Sequence, residues 1–119
     1  MKRFLLACDA IAAMSVISPA NAKYPHHMSV LLLRADCELP DRPSQIRCEA
    51  FLVGVVDTVN AFSFWCVLDK KYFCPPEGVI DVRLRKVFVG YVAAKGGVDH
   101  YEPAASLVIR AFVEAFPCE

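Results

Sequence analysis

Cysteine placement limits what this chain can fold into more than any other feature of it. Cys37, Cys48, Cys66, Cys74 and Cys118 are spread along the sequence, and Cys8 lies near its start. What they form depends on the compartment, and the first residues bear on that. Met1-Lys2-Arg3 is a positive start, Phe4 to Ile17 is largely apolar, and Ser18-Pro19-Ala20-Asn21-Ala22 closes with small residues and an Ala-x-Ala site. That order reads as a secretory signal peptide over residues 1–22, removed after Ala22. The apolar stretch is short for a spanning helix and Asp9 interrupts it, so an uncleaved anchor is the weaker reading. Leu5-Leu6-Ala7-Cys8 is no lipoprotein box, because most of the apolar segment follows the cysteine. Export to an oxidising compartment makes disulfides the expected fate of the remaining cysteines. Five is odd, so one thiol should be left over. A metal site fits less well: no pair has C-x-x-C spacing and no His-x-x-x-His accompanies them.

Removing 22 of 119 residues leaves 97, one domain of modest core over 23–119, and such a core gains from cross-links. Two of the 13 basic and one of the 13 acidic residues leave with the signal, so 11 against 12 gives a net charge of −1. Without a basic stripe, nothing points to nucleic acid or, once the signal is cleaved, to a membrane.

The periodicity of apolar residues predicts helices. Lys23-Tyr-Pro-His-His27 is a loose lead-in. Met28, Leu31, Leu32 and Ala35 suggest a short first helix ending near Cys37, broken by Pro40 and Pro43. Ser44 is the expected N-cap of a second helix from Gln45 to about Phe62, with Ile46, Ala50, Val53 and Phe62 among its buried positions. Gly54 within it reads as a spot where another helix crosses closely, and Asp57 as exposed or paired with a buried donor. Residues 63–78 form a long irregular stretch with two cysteines, two prolines and four aromatics, a length that is functional or pinned by cross-links. Val79 to about Lys95 begins with strand-like alternation, but Ile80, Leu84, Val87, Phe88, Tyr91 and Val92 keep a helical period until Gly96-Gly97. Pro103 opens a last helix whose stripe of Ala104, Leu107, Val108, Ala111, Phe112 and Ala115 is the cleanest here. The fold class is all-α: a small four-helix antiparallel bundle stapled by two disulfides.

Topology favours one cysteine pairing. Cys37 ends the first helix and Cys48 begins the second, a short loop away. If the last two helices are antiparallel, Cys118 returns beside Cys74. Cys66 is then the remaining thiol, though it could instead join two subunits or replace Cys74 as partner, and the sequence leaves these open.

Cys48-Glu-Ala-Phe-Leu-Val-Gly54-Val-Val-Asp57, then Phe73-Cys74-Pro-Pro-Glu-Gly78-Val, Tyr91, Pro103-Ala-Ala and Ala115-Phe116-Pro117-Cys118 stand in one order. From about Cys37 to Cys118 this series resembles the resistance-associated immunity proteins that protect bacteria from type VI secretion amidase effectors. The resemblance implies an all-helical periplasmic domain, often a homodimer, that binds and blocks a peptidoglycan amidase. Cys37, Cys48, Cys74 and Cys118 match the family pattern, whereas Gly96-Gly97, Arg83 and Cys66 depart from it.

Catalysis finds little support. His26 and His27 lie in the lead-in, and His100 with Asp99 and Glu102 reads as solvated or capping turn residues. No basic neighbour or helix N-terminus activates Cys66, and no phosphate loop, metalloprotease motif or nucleophile elbow occurs. No enzyme, cofactor or metal is therefore expected. Binding has better candidates. Phe64, Trp65, Tyr72 and Phe73 lie in or beside the long loop, with Asp69, Lys70 and Lys71 at its tip; exposed aromatics in a charged surround are the anatomy of an interface hot spot. The plainer reading of Trp65 and Phe73 is that they cover the core. Two functions follow: an immunity protein that occludes an amidase effector, or a small periplasmic acid-stress chaperone or envelope stress protein without an effector partner.

Overall fold

The computed structural model describes residues 28–119, so the signal peptide and the lead-in with His26 and His27 lie outside the described residues. Its helices are α1 (Val30–Glu38), α2 (Arg42–Phe64), α3 (Asp81–Ala94) and α4 (Ala104–Ala115), and no strand occurs among the described residues. Each packs on the next in the chain, and α1 also reaches α3 and α4. The expected all-helical four-helix fold is what forms.

Local chemistry sets the helix ends. Ser29 caps α1, its hydroxyl accepting from the Leu32 N–H at 3.4 Å. Asp41, rather than the expected Ser44, caps α2: its carboxylate accepts the Ser44 N–H at 2.9 Å. Pro43 then sits in the first turn, where a missing N–H costs nothing, so the helix starts at Arg42 instead of Gln45. Ser44 is buried, its hydroxyl accepting from Arg47 Nη2 at 2.9 Å. Bonding to Ser44, first from its N–H and then from its hydroxyl, holds the Asp41 carboxyl below the usual aspartate range. At the other end of α2, the Cys66 N–H bonds to the Ser63 carbonyl and the Val67 N–H to the Phe62 carbonyl. This is the paired bonding that closes a helix around a left-handed residue, here Cys66 at φ +57° rather than a glycine. After α3, Gly97 supplies the left-handed residue at φ +76°.

The core is built from Leu33, Leu52, Phe88, Leu107, Val108 and Phe112, all essentially inaccessible. Phe73 stacks edge-on against Phe112, and Phe112 against Phe116, with ring centroids 5.7 Å apart in both pairs. The α4 stripe falls inward as expected except for Ala115, which is exposed. In α1 and α2 the helical period is right but its phase is not. Val30, Leu33 and Cys37 face inward in α1, leaving Leu31 and Leu32 about half exposed. In α2 the inner face is Cys48, Leu52, Val55 and Val59; Ile46, Ala50 and Phe62 are exposed and Val53 is half-buried. Gly54 is also exposed, with no atom of the described residues within 4 Å of where a Cβ would stand, so no described helix crosses there. Asp57 is exposed, and α3 begins at Asp81, leaving Ile80 as an exposed cap.

Covalent and polar ties close the bundle. Cys37 bonds to Cys48 and Cys74 to Cys118, the pairing that topology favoured. Cys66 is disulfide-bonded too, and no described cysteine is a free thiol, which corrects the expectation of one left over. Glu49, buried beside Cys48, accepts from Arg42 on its own helix and from Arg85 on α3, each at 3.2 Å. An antiparallel bridge between Ser29 and Pro103 fastens the start of α1 to the start of α4: the Val30 N–H bonds to the Glu102 carbonyl and the Ala104 N–H to the Met28 carbonyl.

Candidate functional site

A strongly apolar region of the described surface follows from the composition of α2. That helix carries large apolar residues nearly all round. Only the side with Leu52, Val55 and Val59 goes to the core, so Phe51, Gly54, Thr58 and Phe62 are left on the outside. With Ala105 and Ile109 of α4 and with Leu68 and Tyr72 from the following loop, they form a groove of about 570 Å3. Thr58 turns its hydroxyl back onto the Gly54 carbonyl at 2.7 Å, which spends the one polar group along the helix side of the groove.

Leu68 also lines a second, more polar hollow of about 590 Å3, where Asn60, Ser63 and Phe64 meet Asp69, Lys70 and Lys71. Of the six residues that the sequence singles out for partner binding, Phe64, Asp69, Lys70 and Lys71 therefore share one hollow. Tyr72, two-fifths exposed, belongs to the neighbouring groove. Trp65 is 60% exposed and sits edge-on against Phe64 at 5.4 Å. Phe73 is only 2% exposed and belongs to the core, so the plainer reading holds for Phe73 but not for Trp65. Among the described residues Asp69, Lys70 and Lys71 enter no ion pair. Asp69, Lys70 and Lys71 are all exposed where they line this hollow. The sequence reading missed Phe51, Leu68 and Ile109, since each looks like an ordinary core position until the phase of its element is known.

Asp99 and Glu102, which could suggest catalysis, are committed elsewhere. The Asp99 carboxylate accepts the Tyr101 N–H at 2.9 Å, which makes the turn, and Glu102 pairs with Arg110 of α4. His100 contributes its backbone carbonyl to the Leu31 N–H. Among the described residues no cluster of His, Cys, Asp or Glu could hold a metal ion, and no helix is long and apolar enough to cross a membrane. What this end of the bundle can do is present two exposed aromatics, an apolar groove and unpaired charges to another protein.

Comparison with known proteins gives one result of weight. The sequence profile of a family described as Rap1a immunity proteins matches residues 29–118. Among the curated proteins and among the solved structures nothing matches significantly. The matched stretch opens at the Ser29 cap and closes on Cys118 of the second disulfide, so it takes in all four helices. The chain accordingly belongs to the Rap1a immunity proteins, immunity proteins against type VI secretion effectors.

Proposed function

We propose that the chain is exported to the periplasm, where it binds a peptidoglycan amidase delivered by type VI secretion and occludes its cleft. The observation that carries the assignment of a surface is the set of uncovered aromatics, Phe64 and Trp65, beside unpaired Lys70 and Lys71. Aromatic anchors in a charged surround supply most of the energy in interfaces of this kind, and the lysines would steer an acidic cleft towards them. The signal-like residues 1–22 support export, and the disulfides fit an oxidising compartment.

Deleting the gene and competing the deletant against its parent in close contact tests this reading. The deletant should be lost only when the parent can fire its secretion apparatus. Survival in contact combined with death at low pH would instead favour an acid-stress chaperone.

The same reading includes a homodimer, as the family resemblance implies. The groove between α2 and α4 is an apolar surface that a second copy would cover. Gly54→Glu places a charge there without touching the core, and by sedimentation velocity it should turn dimer into monomer. A dimer unchanged by that substitution would place the interface elsewhere.

A further inference from the structure

We propose that the Cys74–Cys118 disulfide is a redox latch on the binding loop: a dithiol reductant opens it ahead of Cys37–Cys48 and frees the loop while the bundle stays folded. The two bonds differ first in access. Cys37 is 2% exposed and Cys48 0%, both within the core. Cys118 is exposed and Cys74 only half-buried. Exchange needs a thiolate to reach a sulfur directly, so the outer bond reacts from the folded state whereas the inner one waits for local opening.

They differ also in what they hold. Cys37–Cys48 joins two helices that core packing and the Arg47–Asp36 pair already keep together. Cys74–Cys118 joins a loop to the tail of α4. From the helix side the loop is fixed as far as Leu68, whose N–H reaches the Phe62 carbonyl. Over residues 69–73 no backbone N–H donates to another described residue, and the next to do so is that of Cys74, to the Phe116 carbonyl at 2.8 Å. Asp69, Lys70, Lys71 and Tyr72 are thus suspended between the end of α2 and one anchor. That anchor consists of the Phe73 ring, one backbone hydrogen bond and the disulfide.

The chemistry balances with a dithiol as the sole co-reactant. Its thiolate attacks the Cys118 Sγ, the bond to Cys74 breaks, and the electron pair leaves on Cys74, which takes a proton. The second thiolate of the reductant then displaces Cys118, which is protonated in turn, and the reductant departs as its own disulfide. The oxidised chain holds its loop ordered and competent to bind; a chain still in a reducing compartment does not. The functional sense of the latch rests on the loop's being the partner surface, but the latch itself can be tested without any partner.

Lys70 and Lys71 are trypsin sites inside the suspended stretch. The oxidised full chain would be treated with stepwise dithiothreitol, alkylated, mapped by peptide mass and followed by circular dichroism and trypsin cleavage, with Cys66 scored separately. Cys74 and Cys118 should be alkylated roughly tenfold or more faster than Cys37 and Cys48. Cleavage after Lys70 and Lys71 should rise with them, and the helical signal should persist. The C74S/C118S variant should show the same cleavage without reductant. Alkylation of all four cysteines together with loss of helix, or trypsin resistance unchanged after Cys74–Cys118 opens, would overturn the latch. If the latch behaves as expected but Trp65→Ala still protects cells from the effector, the surface assignment fails alone; effector binding at the loop that ignores reduction sinks only the latch.

Discussion

Glu49 is the one charged side chain buried in the described fold, and it stands next to a disulfide cysteine on the helix with the longest run. Its carboxylate answers Arg85 across the α2–α3 contact; Arg85 is itself four-fifths buried, while Arg42 remains mostly in solvent. Removing the acid strands Arg85, so Glu49→Ala should cost about 3 kcal/mol in urea unfolding, less than a fully buried pair because Arg42 is solvated. Glu49→Gln keeps hydrogen-bonding oxygen in place and should cost less; equal losses would show that charge rather than shape matters. Asp41 acts through protonation. Its folded value is depressed, so its stabilisation is present in full above the unfolded value near 3.8 and fades as pH falls through the lower folded one. Asp41→Asn retains the cap without the titration and should show a flatter melting temperature across that acid window. At the proposed interface, Trp65→Ala should weaken effector binding by about 2 kcal/mol, roughly 30-fold, with an unchanged melting curve. Full affinity in that variant would move the interface elsewhere.

At the scale of the element, α4 and α2 show why one helix was legible in the sequence and the other only in part. In α4 the apolar residues form one stripe against charged and small neighbours, so period and phase come together and Leu107 lands at 1% exposure. Leu107→Ala should accordingly cost between about 2 and 5 kcal/mol by calorimetry. In α2, Ile46, Phe51, Leu52, Val53, Val55, Val56, Val59 and Phe62 surround the axis, and no local rule says which side the core takes. The neighbours decide: Cys48 is tied to Cys37 and Glu49 to Arg85, which rotates Ile46 and Phe62 outward. In α1 the run Leu31-Leu32-Leu33 offers two faces, and the Ser29–Pro103 bridge selects the one with Leu33. The candidate site shares this history. Its loop residues could be named from composition, because aromatics beside charges in a long loop are visible in one dimension. The groove could not, since it exists only where the unused face of α2 meets α4.

At the scale of the whole molecule, the two described disulfides close loops of 11 and 44 residues. In the chain-entropy view these contribute about 3 and 4 kcal/mol, comparable with the total stability of a domain this small. Full reduction should therefore lower the calorimetric transition sharply, and a transition that stayed in place would discredit the staples as stabilisers. The tie between Ser29 and Pro103 has a further consequence, for the order of events during synthesis. The first helix finds its backbone partners only in the segment that introduces the last one, and Phe73 finds its ring partner only in Phe112. Made from N- to C-terminus, α1 and α2 can pair early through Asp36 and Arg47, but the start of α1 and the Phe73 ring stay without their partners until α4 has been made.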